Sequence, residues 1–235
     1  MIIWNGIMNK TLYICGDSFC SSDPEYGDNW VDILAAHPDI NIINLASPGA
    51  SNYLIYLQVK YALSQDCDYL IYNATSSIRQ EFALRSDISI SDDISRYWSV
   101  TLPSDDKSMI CTSWATVGKN TTNIFTIEQI NKIQEFFKDF VDIPNLVEKN
   151  YIFILHTLQL LDSTVGLTWV WNQGGFEHKS FKSTGNWNFS KYTNHECPIN
   201  LWDDYDPKLI RPYYHVTNTK LIKRIYTQYV TMLHL

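Results

Sequence analysis

Three observations in the sequence predict an α/β fold, a three-layer α/β/α sandwich around a mainly parallel sheet. Short apolar runs rich in strand-forming residues recur at 11–15 (TLYIC), 40–45 (INIINL), 68–73 (DYLIYN) and 151–155 (YIFIL). Between the second and third runs, apolar residues at 54, 55, 57, 59, 61 and 62 follow a helical period. Strand, helix and strand at these intervals require parallel strands joined by crossover helices. The chain of 235 residues is 45% hydrophobic and 18% charged, which allows one elaborated globular domain with a substantial core.

The elements follow in order. Residues 1–8 precede the first run and read as an N-terminal extension. The strand at 11–15 is closed by Gly16, and 30–36 reads as a short helix. The strand at 40–45 runs into Ala46-Ser47-Pro48-Gly49-Ala50-Ser51, a cluster that breaks strands and starts helices, with Ser51 or Asn52 as the cap. The strand at 68–73 leaves through the polar turn 74–79. The polar stretch 86–122 reads as an insertion or lid. At 128–140, Ile130, Ile133, Phe137 and Phe140 mark an amphipathic helix, and 151–155 reads as a fourth buried strand. The second insertion, 162–202, is aromatic, with Trp169, Trp171, Phe176, Phe181, Trp187, Phe189, Tyr192 and Trp202. Such a segment is either a satellite core under a long loop or a set of exposed rings that stack on sugars or an acyl chain. A last helix at 218–233, capped by Thr217, presents Ile222, Ile225, Tyr229 and Leu233 on one face.

Composition removes several classes of function. A net charge of −7 with no Lys/Arg run lacks the phosphate-neutralising stripe of a nucleic-acid binder. No window approaches the roughly 20 apolar residues of a membrane span, and the N-terminus has no signal-peptide pattern, so a soluble, cytoplasmic protein is expected. The five cysteines (Cys15, Cys20, Cys67, Cys111, Cys197) are odd in number and contain no Cys-x-x-Cys pair, which suits reduced thiols. The sequence has no phosphate loop, no Gly-x-Gly-x-x-Gly after the first strand and no His-Glu-x-x-His, and no cofactor is expected. The spacing of His178, His195 and Cys197 matches no common zinc site, so no metal is expected either.

In open α/β sheets the ligand crevice lies beyond the carboxyl ends of the strands. That rule selects Gly16-Asp17-Ser18, Ser47 to Asn52 and Thr75 to Arg79. Asp17 reads as a turn residue that accepts from nearby amides. His156, at the end of the fourth run, reads as a core or rim residue. Arg79 and Glu81 read as a salt bridge closing the turn, or as a substrate clamp. A serine hydroxyl becomes a useful nucleophile when a base takes its proton, and the oxyanion formed on attack needs preorganised donors.

Ile14-Cys15-Gly16-Asp17-Ser18-Phe19 resembles the first block of the SGNH, or GDSL-type, hydrolases, in which Gly-Asp-Ser follows the first strand and supplies the nucleophile. Asn44 to Asn52 (NLASPGASN) resembles their second block, and His215, just before the last helix, stands where the family places its catalytic histidine. The resemblance implies a flavodoxin-like SGNH fold with Ser18 as nucleophile and His215 as base and then acid. It also implies an oxyanion hole of the Ser18 and Gly49 amides. Where the family's third block has Asn this chain has Ser77, with Thr75 or Asn73 as alternative donors. The family's triad Asp lies three residues before the histidine, where this chain has Pro212. Asp206, or Asp203 or Asp204, then orients His215, or a Ser-His dyad operates with a backbone carbonyl. Asn52, Thr75 and Arg79 are expected to contact substrate.

The expected reaction is hydrolysis of a small ester, with a carbohydrate O-acetyl group as the leading substrate and no nucleic-acid or membrane partner. The alternatives are a non-catalytic binding or structural protein that retains the fold, and an acyltransferase that excludes water under the aromatic lid.

Overall fold

The structure, a computed structural model, describes residues 10–21, 29–47, 49–83, 99–101, 108–112, 126–172, 192 and 219–235. Within these residues the chain has a mixed α/β fold. Strands β1 (Lys10–Cys15), β2 (Ile40–Asn44), β3 (Tyr69–Asn73) and β7 (Thr168–Asn172) form a four-stranded sheet in the order β2-β1-β3-β7. All three pairings are parallel, with Leu12 opposite both Ile42 and Tyr69, and Ile71 opposite Val170.

Alternation along the strands explains why the sheet is apolar on both sides. Tyr13, Cys15, Leu70, Tyr72, Trp169 and Trp171 join one core with helices α2 (Asn52–Leu63) and α4 (Ile143–Asp162). Leu12, Ile14, Ile71 and Val170 join a second core with α1 (Trp30–Ala35) and α5 (Thr219–Met232). In that second core the rings of Trp30 and Tyr229 meet at 4.6 Å. The helix starts are written locally: Asn29 closes a capping box with Asp32, and the Ser51 hydroxyl accepts from the Leu54 amide. Helix α3 (Ile127–Phe140) opens with a second capping box, between Thr126 and Gln129.

Three expectations change. Residues 151–155 belong to the 20-residue helix α4 and are not a strand. Val147, Tyr151, Ile154, Leu158 and Leu161 continue one helical stripe, so YIFIL is the middle of a long buried face. The fourth parallel strand is instead Thr168–Asn172, inside the segment expected to be irregular. The stretch 86–122 also holds regular structure, since β5 (Ser99–Thr101) and β6 (Ser108–Thr112) pair antiparallel, and β6 pairs with β4 (Gln80–Ala83). Their strand signal is short and arises from pairing across the sequence, which local periodicity cannot report.

Candidate functional site

Sheet order places the crevice. The chain adds β2 on one side of β1 and β3 on the other, so connections diverge between β1 and β3, and a ligand site is expected beyond their carboxyl ends. The loops after β1, β2 and β3 carry Ser18, Gly49 and Ser77.

The loop after β1 is tightly made. Cys20 and Ser21 donate their amides to the Asp17 carbonyl at 3.0 and 3.1 Å, forming one compact turn. Its outer carbonyls are taken by side chains: Trp30 Nε1 donates to Phe19 O at 3.0 Å, Asn44 Nδ2 to Cys20 O at 2.8 Å, and Asn29 Nδ2 to Ser21 O at 2.7 Å. Gly16 is required by space. A Cβ there would lie 3.0 Å from both Asn73 Cβ and Cys20 Sγ. Its amide donates to Gln58 Oε1 at 2.8 Å, and its carbonyl accepts from Ser47 N at 3.1 Å, which joins the loops after β1 and β2.

Asp17 is the centre of the site's polar structure. It is wholly buried, and its carboxylate accepts from Phe19 N (3.1 Å), Asn73 Nδ2 (3.2 Å) and Thr75 Oγ1 (2.5 Å), with Arg79 Nη1 at 3.1 Å. Three hydrogen-bond donors and a facing guanidinium satisfy the carboxylate, which is what makes a buried charge tolerable. The turn role expected for Asp17 is present in the Phe19 bond. The ties to β3 and to Arg79 have no signal in local sequence.

A second polar group backs the first. Asn52 Oδ1 accepts from Thr75 N at 2.9 Å, while its Nδ2 donates to Thr75 O at 3.0 Å and to Asn150 Oδ1 at 3.2 Å. Asn150 in turn donates to Leu146 O at 2.9 Å and Arg79 O at 3.4 Å. Asn52 and Thr75, expected to contact substrate, are both buried, with these donors and acceptors engaged inside the protein. Asn73 is likewise buried and turned toward Asp17, which leaves its Oδ1 unpaired, as is Gln58 Nε2 behind Gly16. Neither Asn73 nor Thr75 therefore presents its side-chain donor to the crevice, and Ser77 is the remaining hydroxyl of that turn among the three named. Arg79 and Glu81 do not pair with each other: Arg79 holds Asp17, and Glu81 accepts from Lys149 at 2.6 Å.

What stays available is as informative. Among the described residues nothing accepts from the Ser18 or Gly49 amide, and the hydroxyls of Ser18 and Ser77 have no partner. Gly49 sits at φ +80°, in the left-handed region that glycine adopts without strain. Burial pushes the thiols of Cys15 and Cys20 well up, so both remain protonated at neutral pH. Among the described residues no group of three His, Cys, Asp or Glu side chains is placed to hold a metal ion. No described helix is long and apolar enough to cross a membrane.

His215 and the acids Asp203, Asp204 and Asp206 fall outside the described residues, as do His178, His195 and Cys197. His156 is exposed on α4, not at a strand end, because the run that carries it is helical. Sequence reasoning did not single out Gln58 or Asn150. Each is a polar residue on the buried stripe of a helix, and a break in an apolar stripe is the signal that marks them.

No protein-family model and no curated protein sequence matches this chain.

Proposed function

We propose that the protein is a serine hydrolase of SGNH type, a three-layer α/β/α sandwich that cleaves a small ester, with a carbohydrate O-acetyl group as the favoured substrate. The observation that carries this reading is the pair of amides, Ser18 and Gly49, with no acceptor among the described residues, in adjoining loops at the carboxyl end of the sheet, beside a serine hydroxyl with no partner among those residues. Unpaired amides held in a rigid turn are the donors an oxyanion needs.

In this reading His215 takes the Ser18 proton as Oγ attacks the acyl carbon, and the Ser18 and Gly49 amides, with the Ser77 hydroxyl, hold the oxyanion. Asp206 orients the imidazole. Collapse breaks the ester bond, and the alkoxide leaves with the proton from His215. Water, deprotonated by His215, then attacks the acyl-enzyme and releases the acid and free Ser18. Arg79 acts from behind the nucleophile and not on the substrate.

The test is mass spectrometry after a fluorophosphonate probe. Stoichiometric labelling of Ser18 is expected in the wild type, none in Ser18→Ala, and a strong reduction in His215→Ala. Absence of labelling in the wild type overturns the reading. A non-catalytic binding protein is the second reading. It is favoured by the commitment of Asn73 and Thr75 to Asp17, which leaves Ser77 as the one donor of the three expected ones still uncommitted, and by an open groove of about 330 Å³ lined by Phe136, Phe140, Val141 and Lys149.

A further inference from the structure

A single nitrogen joins the three loops of the site. Arg79 Nη1 lies 3.1 Å from Asp17 Oδ2 and donates to the Ala50 carbonyl at 3.0 Å. Asp17 immediately precedes Ser18, Ala50 immediately follows Gly49, and Arg79 stands two residues after Ser77. Each loop that presents a donor with no partner among the described residues is therefore fastened within two residues of it, and always to this one side chain.

The loop after β2 depends on it most. It is built of chain-breaking residues, and within it Ala50 N bonds Ser47 O at 3.1 Å while Ser47 N reaches Gly16 O. The Ala50 carbonyl points to Arg79. The guanidinium is itself immobilised, because Asp17 is sealed from water and filled by three further donors, and because Asn150 holds the Arg79 carbonyl. Lysine cannot substitute freely. Its ammonium is a point charge on a flexible stem, whereas the planar guanidinium hydrogen-bonds the Ala50 carbonyl while its rigid, delocalised charge lies against the Asp17 carboxylate.

We propose that Arg79 is the positioning residue of this site: by tying the Asp17 carboxylate to the Ala50 carbonyl it fixes the Ser18 and Gly49 amides relative to one another. Its effect on rate rests on the hydrolase reading above; its effect on the loops does not. A residue that aligns the oxyanion donors acts on the transition state, so its loss lowers kcat and leaves KM in place.

The experiment compares wild type, Arg79→Gln and Arg79→Lys by hydrolysis of p-nitrophenyl acetate, by the rate of fluorophosphonate labelling, and by hydrogen exchange of peptides covering 16–21 and 46–51. For Arg79→Gln, kcat and the labelling rate are expected to fall about 10²-fold, the scale of a 1 Å misplacement, with KM unchanged. Arg79→Lys should recover part of that loss, and exchange should quicken in both loop peptides but not in those covering α4. Wild-type labelling with unchanged kcat and exchange in both variants overturns the proposal, as does a loss carried by KM alone. If Arg79→Gln does not fold, Arg79→Lys decides by the same criteria. If the wild type does not label, the hydrolase reading fails, and exchange alone judges the clamp: faster exchange in both loops upholds it, and unchanged exchange overturns it.

Discussion

The two ends of the parallel sheet each use an aspartate to tie strands together, and they differ in access to water. At the amino end, Asp68 accepts from Thr11 N at 2.9 Å and from Lys10 Nζ at 3.2 Å, with the two paired side chains 39% and 54% exposed. At the carboxyl end, Asp17 has four partners and no exposure. Both carboxylates accept a backbone amide and face a cation, but the energetics differ. An exposed pair is worth about 0–1 kcal/mol because water competes for both charges, whereas breaking a buried pair costs about 3–5 kcal/mol because the survivor is left without solvent. The sheet therefore has one end that is replaceable and one whose polar groups depend on each other, and the loops carrying Ser18 and Gly49 are at the second.

The largest expected effect comes from removing the charge at the sealed end. Asp17→Asn should destabilise by about 3 kcal/mol in urea unfolding, the lower part of the buried-pair range because Arg79 retains some access to water. A loss below about 1 kcal/mol would put the two ends on the same footing. Gly16→Ala probes the steric side of the same end, since the new methyl would press on Asn73 and Cys20. A cost of about 1–3 kcal/mol is expected for such overpacking, read from the denaturation midpoint.

At the open end, Asp68→Asn should cost less than about 1 kcal/mol at neutral pH. The Thr11 amide, with help from Lys10, holds the Asp68 carboxyl below its usual value of 3.8. A carboxylate depressed in the folded state contributes its stability above its unfolded pKa and loses it as pH falls through the folded one. The gap between wild type and Asp68→Asn should thus be constant above about pH 5 and close below about pH 4. Equilibrium melts at both values check it, and a gap that widens on acidification would reverse the assignment. The smallest effect is expected for Lys10→Gln, a few tenths of a kcal/mol that vanish at about 1 M salt, where screening reaches within about 3 Å.

Strand and helix positions were mostly legible because their causes are local. Ser51 caps α2, the run 11–15 forms most of β1, and the Ile130 to Phe140 spacing marks α3. The two misplacements share one physical origin. YIFIL and the WVW centre of TWVWN are both short apolar runs, and such a run reads the same in a buried helix and in a strand covered on both faces. Length decides between them: the first continues through Leu158 and Leu161 as a helical stripe, while in the second Trp169 and Trp171 enter one core and Val170 the other.

The site divides along the same line. Which residues stand at strand ends is a property of sequence, and Gly16, Asp17, Ser18, Gly49 and Ser77 were found that way. What their neighbours do is not, because the hydrogen bonds that Asn73 and Thr75 donate to Asp17, and the ion pair Arg79 makes with it, span 56 residues and more along the chain. The bonds that Asn52 and Thr75 make to each other are illegible for the same reason: a polar residue at a strand end is equally suited to a substrate and to a neighbouring loop.

By itself, then, the sequence determined the alternation of elements, the apolar faces and the short segments where strands stop, since these follow from periodicity, capping and turn chemistry within a few residues. Only the tertiary structure decided that β7 completes the parallel sheet, that Asp17 is sealed, and that Arg79 fastens three loops. Those outcomes depend on which distant groups exclude water from one another, and that exclusion exists once the chain has packed.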